Sequence, residues 1–81
     1  MKRVIYLATA RKALLKHKAE AKRIMDKVDA YAEDPSAFAK VKSLKGRTGK
    51  RLRVGSFRVI FEETANEIIV TNIGPRGGIY D

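Results

Sequence analysis

Two rhythms of apolar residues divide this 81-residue chain. Across residues 19–33, Ala21, Ile24, Met25, Val28 and Tyr31 follow the three-, four- and seven-residue spacing of one helical face. Asp34-Pro35 predicts the end of that helix, because proline disfavours helical backbone in the residue before it. An earlier, shorter helix is predicted through Arg11–Lys16, with Thr9 as its cap. Ahead of it, the β-prone residues 4–7 predict a first strand.

From Arg51 onward the rhythm changes to two. Arg51-Leu52-Arg53-Val54 alternates basic and apolar, which predicts a strand with one basic face. Gly55-Ser56 turns or bulges the chain. In Phe57-Arg58-Val59-Ile60-Phe61-Glu62, the residues Phe57, Val59 and Phe61 share one face, and Arg58 and Ile60 the other. Thr64-Ala65-Asn66 reads as a hairpin loop. The run Ile68–Ile73 is nearly all apolar, which predicts a central strand covered on both faces. Between the two regimes, Phe38, Val41 and Leu44 are expected to dip into the core, and residues 45–50 to form a polar loop. The expected fold is α+β: one domain over residues 1–81, in βααβββ order, with an antiparallel sheet packed on an N-terminal helical hairpin.

Charge adds direction to this picture. The net charge is +9, but it is concentrated: residues 35–61 carry eight Lys or Arg and no acid. Residues 62–81 carry one Arg against four acids. Such asymmetry points to a polyanionic partner, nucleic acid first, then an acidic protein or an anionic membrane. There is no cysteine, so neither disulfides nor thiolate metal sites contribute, which fits a reducing compartment. The opening apolar run is too short for a signal sequence or a membrane span, and a cytoplasmic protein is expected.

Several familiar chemistries fail on these residues. Gly46-Arg47-Thr48-Gly49-Lys50-Arg51 has two residues between its glycines where a phosphate loop needs four, and no Ser or Thr follows the lysine. His17 is the only histidine, so neither a histidine metal cluster nor a Ser/His/Asp triad forms around it, and a surface position is expected. Glu62 and Glu63 alternate to opposite sheet faces. No metal or cofactor is implied. What remains is a set of cations and one tyrosine: Arg51 and Arg53 on one strand, Arg58 on the next, Arg76 after the last, and Tyr80 four residues beyond it.

The same residues carry a family resemblance. Leu44-Lys45-Gly46, then Arg51-Leu52-Arg53-Val54-Gly55-Ser56-Phe57-Arg58-Val59-Ile60-Phe61, then Ile73-Gly74-Pro75-Arg76 and Ile79-Tyr80 resemble the core pattern of the RelE/ParE toxin superfamily. With the helical hairpin, the resemblance covers essentially the whole chain. It departs at Pro75, where many relatives have histidine, and at Gly78, where a charged residue is common. One residue follows Tyr80 in the sequence, so no further helix is expected to hold it.

The resemblance implies a toxin of a type II toxin–antitoxin system. RelE-like members cleave mRNA in the ribosomal A site, whereas ParE-like members poison DNA gyrase without that catalytic set. The presence of both Arg76 and Tyr80 favours the RelE side. The implied catalytic residues are Arg53, Arg58, Arg76 and Tyr80; Lys45, Arg47, Lys50 and Arg51 are the implied RNA-binding residues. The implied partners are a cognate antitoxin, acidic or amphipathic, and the ribosome with its mRNA. The toxin is expected as a monomer or as a hetero-oligomer with its antitoxin. A ParE-like gyrase inhibitor is the alternative. A plain RNA-binding module fits less well, since only Phe57 stands among the arginines as a stacking platform. A membrane-active peptide fits least, because the helices lack a broad apolar face.

Overall fold

The computed structural model describes residues 2–38, 41–43 and 49–75. Strand β1 (Arg3–Tyr6) leads into helix α1 (Ala8–Lys16) and helix α2 (Lys18–Glu33), followed by a 3-10 turn over Pro35–Ala37. A two-residue strand β2 (Lys42–Ser43) precedes β3 (Lys50–Val54), β4 (Phe57–Glu63) and β5 (Glu67–Pro75). The α+β architecture and the helical hairpin match the expectation from sequence. β2 adds one short strand to it.

The strands form one sheet in the order β1-β5-β4-β3-β2. Three pairings are antiparallel, but β1 lies parallel to β5, with Val4 opposite Ile68 and Tyr6 opposite Val70. The sheet is therefore mixed. The reason is that β1 connects to the rest of the sheet through two helices, a crossover long enough for parallel pairing, whereas β3, β4 and β5 follow through short turns. The β3–β4 turn is Gly55-Ser56, with Gly55 at φ +59°, the left-handed region that a first hairpin position of this kind requires.

One sheet face packs on the helices. Leu52, Val54, Phe57, Val59, Phe61, Ile68, Val70 and Ile73 bury against Ala10 of α1 and Ile24, Val28, Tyr31 and Ala32 of α2. Phe38 and Val41 pack at the edge, as their apolar character predicted. Among the described residues, no element packs on the other face, where Ile69 and Thr71 of β5 lie. Ile69 and Thr71 are half-buried while Ile68 and Val70 are buried, as alternation dictates. After Val70 a bulge interrupts the pattern. Phe61 pairs with Val70 but Ile60 pairs with Asn72, leaving Thr71 as the extra residue. Its hydroxyl donates to the Ile60 carbonyl at 3.2 Å. Beyond the bulge the alternation inverts, so that Ile73 turns into the core.

Two local expectations are corrected. α1 starts at Ala8 with Leu7 as the capping residue and no side-chain cap, so Thr9 lies inside the first turn. His17 is a half-buried joint between α1 and α2, not a surface residue: its ring meets Phe57 edge-on at 4.9 Å. Among the described residues, no helix is long and apolar enough to cross a membrane.

Candidate RNA-contacting face

The strand register decides where the arginines go. Leu52 pairs with Val59, and Val54 with Phe57, all facing the helices. The intervening residues therefore face outward: Arg53 pairs directly with Arg58, and Arg51 with Ile60. On the far side of β4, Arg58 is opposite Gly74, which contributes no side chain to the row. Two guanidinium-bearing residues thus occupy adjacent positions, Arg53 exposed and Arg58 half-buried. A cavity of about 320 Å³ lies at this end of the hairpin, lined by Arg53, Gly55, Ser56, Phe57 and Arg58. Like charges directly across a strand pair cost stability, so the arrangement runs against what folding alone selects.

The hairpin tip is held from behind. The Arg23 guanidinium of α2 lies over Gly55, so close that a Cβ there would sit 2.8 Å from its Nη2. Arg23 is itself ion-paired with Glu20 one turn earlier. Phe57 seals the inner wall of the cavity, but it is buried against His17 and the core. That placement removes it as a platform on which a base stacks, contrary to the expectation that it stands among the arginines. Its position follows from the Val54–Phe57 pairing at the tight turn.

Lys50 takes a different position from Arg51 and Arg53. Its ammonium donates to Glu63 Oε1 at 2.7 Å, while Lys2 donates to Oε2 at 2.6 Å and the Tyr31 hydroxyl to Oε1 at 2.7 Å. Glu63 thus joins β3, β4, α2 and the start of the chain. Burial alone would raise its pKa. Hydrogen bonds from Lys2, Lys50 and Tyr31, with the Lys50 charge, outweigh burial and hold it at about 2. The same contact raises the Lys50 pKa. Tyr31 is pushed up by burial first and by its bond to Glu63 next. This cluster was invisible in the sequence, where Glu63 merely adjoins a strand end. It requires residues 61 positions apart to meet.

Arg53, Arg58 and Arg51 therefore share one sheet face, and Lys50 lies at the start of the same strand. Arg76, Tyr80, Lys45 and Arg47 lie outside the described residues. No cluster of three metal-ligating side chains forms among those described.

No family model and no curated protein matches the chain. Solved structures do. A chain of the archaeal RelE–RelB complex from Pyrococcus horikoshii OT3 is similar at 28% identity and a TM-score of 0.76, over 96% of this chain and 98% of that one. The chain has the fold of the RelE-like toxins. The RelE-like fold recurs at lower identity in the toxin–antitoxin complex RelBE2 from Mycobacterium tuberculosis, at 22% identity, a TM-score of 0.64 and coverage of 93% and 98%. It recurs again in YafQ from E. coli strain BL21(DE3), at 13% identity and a TM-score of 0.69 over the full length of both chains. In this RelE-like chain the arginine row occupies the sheet face turned away from the helical hairpin.

Proposed function

We propose that this RelE-like protein is the toxin of a type II toxin–antitoxin system, a ribosome-dependent mRNA endoribonuclease that inhibits translation. The observation that carries this reading is the direct pairing of Arg53 with Arg58 on the sheet face turned away from the helices, opposite Gly74, which adds no side chain to the row. Cleavage proceeds by attack of a 2′-OH on the adjacent phosphorus: the 2′-O–P bond forms as the bond from phosphorus to the 5′-oxygen breaks. The pentavalent state gains negative charge, and cations already in place stabilise it more than they stabilise the substrate. Arginine suits this because its planar fork grips two phosphate oxygens and stays protonated.

In this scheme Arg53, Arg58 and Arg76 stabilise the transition state, and Arg51 holds phosphate. Tyr80 orients the 2′-OH or takes its proton. An unperturbed tyrosine has a pKa of about 10, too high for an efficient base at neutral pH. Neighbouring arginines favour tyrosinate and lower that value. Lys45, Arg47 and Lys50 contact ribosomal RNA, Lys50 by exchanging its Glu63 partner for phosphate. The ribosome supplies an aligned substrate, so free RNA is cut poorly. A cognate antitoxin neutralises the toxin by covering the basic face or displacing Tyr80.

The test is cell-free translation with mapping of mRNA ends. The wild-type chain cuts within ribosome-bound codons, while Arg76→Ala and Tyr80→Phe remain folded and leave the message intact. Intact mRNA with the wild-type chain, together with trapped gyrase–DNA complexes in a supercoiling assay, overturns the ribonuclease in favour of a gyrase poison.

A further inference from the structure

The turn between β3 and β4 is gripped from the helical layer on both of its sides. On the β3 side, the Arg23 guanidinium of α2 occupies the space where a side chain of residue 55 would stand. A Cβ on Gly55 would lie 2.8 Å from Nη2 and 3.3 Å from Cζ. On the β4 side, the His17 ring packs edge-on against Phe57 at 4.9 Å. The two grips issue from one place. Arg23 is ion-paired with Glu20, and the Glu20 backbone N–H donates to the His17 carbonyl at 3.0 Å. His17 is the joint between α1 and α2, and Glu20 and Arg23 follow it along the start of α2.

Stability alone gives little reason for the Arg23 contact. Its side chain is 58% exposed, and exposed ion pairs contribute little to folding. Its effect is geometric. Arg53 stands two positions before Gly55, and Arg58 two positions after Ser56. The twist of the turn therefore sets how the two paired arginines lie relative to each other. The cavity beside them has the same dependence, since Gly55 and Ser56 form part of its wall. A displacement of roughly 1 Å in a group that acts on a transition state can cost about 10²-fold in rate.

We propose that Arg23 is a positioning residue for the arginine row. Seated on Gly55 and steadied by Glu20, it fixes the twist of the β3–β4 turn and with it the separation of the Arg53 and Arg58 side chains. Gly55 serves this arrangement twice: its φ of +59° makes the turn, and its lack of a Cβ admits the guanidinium. The consequence for rate rests on the ribonuclease reading of the row; the placement of the two side chains does not.

The test uses the full chain, isotopically labelled, and two neighbouring exposed cations of α2. Arg23→Ala empties the place over Gly55. Lys22→Ala removes the same charge from a residue paired with Asp26. Both variants should melt within a few degrees of wild type. Arg23→Ala is expected to shift the side-chain Nε–H signals of Arg53 and Arg58 and to speed hydrogen exchange at the Ser56 amide, whereas Lys22→Ala leaves them in place. In ribosome-dependent cleavage, Arg23→Ala should lower kcat by about 10–10²-fold with KM unchanged, and Lys22→Ala should keep full kcat. Arg23→Lys retains the charge without the planar fork and should stay as slow as Arg23→Ala. Unmoved Arg53 and Arg58 signals in Arg23→Ala would overturn the proposal. So would a raised KM at full kcat, or full activity of Arg23→Lys, since Arg23 would then supply charge and not placement. Full cleavage by Arg23→Ala beside an active wild type would overturn it and leave the ribonuclease standing. A wild-type chain that cuts no mRNA would sink the ribonuclease reading, while the Arg53 and Arg58 signals still decide the placement.

Discussion

The two faces of the sheet are built from the same strands and obey opposite rules. Toward the helices, every β3–β4 pair from Leu52–Val59 to Val54–Phe57 is apolar and buried. Glu63, a carboxylate at the edge of that side, receives three donors. Away from the helices, one residue along the same strands, Arg53 faces Arg58. A regular strand such as β3 alternates its side chains, so the two faces are equally easy to fill with matched residues. The contrast teaches that the covered face is arranged for folding and the open face for something that arrives from outside.

That contrast is open to attack at four positions. Phe61 is 1% exposed at the centre of the covered face, and Phe61→Ala is expected to cost about 3–5 kcal/mol, enough to unfold most of so small a domain. Urea denaturation with circular dichroism reads this directly, and a loss below about 1 kcal/mol would mean that the covered face is not the source of stability. On the open face, Arg58→Ala should lower ribosome-dependent cleavage by roughly 10²–10³-fold, the effect of removing one transition-state donor. Its melting temperature should stay within a few degrees of wild type. Cleavage unchanged in that variant would remove Arg58 from the mechanism.

Glu63 offers a smaller effect with a distinct signature. Its folded pKa of about 2 lies below its ordinary 4.5. The unfolded chain therefore takes up a proton at higher pH than the folded one does. The stabilisation from Glu63 is complete above 4.5 and is lost as pH falls toward 2. Glu63→Gln should cost about 1.5–3 kcal/mol at neutral pH, the range for a hydrogen bond to a charged group. It should also flatten the acid limb of the stability curve, and an unchanged limb would show that other carboxylates govern acid unfolding. The smallest effect has the opposite sign. Arg53→Glu places unlike charges across the strand pair and should stabilise the fold by about 0.2–1 kcal/mol while abolishing cleavage. A destabilised Arg53→Glu protein would show that the pairing of Arg53 with Arg58 carries no penalty for folding.

What the sequence revealed depended on how local the cause was. α2 was legible because its apolar face and the Asp34-Pro35 stop lie within one segment. The basic face of β3 was legible because alternation needs only four residues. The parallel pairing of β1 was not, since nothing in residues 3–6 names a partner more than sixty positions away. The bulge at Thr71 left one trace: strict alternation from Ile68 and Val70 would bury Asn72, and the extra residue turns Ile73 inward instead. The arginines themselves were legible as types and spacing, but that Arg53 meets Arg58 and not another neighbour is a statement of register. Phe57 misled because it sits between basic residues in sequence and faces away from them in space. His17 gave no signal of its contact with Phe57, which depends on how the hairpin docks on the sheet.

The parallel pairing of β1 with β5 has a consequence for how the molecule is born. Of the described strands, translation delivers β1 first and its partner β5 last, so during synthesis residues 3–6 wait for that pairing. The α1–α2 hairpin and the β3–β4 hairpin need only local contacts and form early, whereas the sheet closes once the most distant pairing in the molecule is made. A nascent chain still short of β5 also lacks Gly74 and the row that Arg58 completes with it. The polypeptide is thus assembled in an order that leaves its sheet open until the last of the described strands has been made.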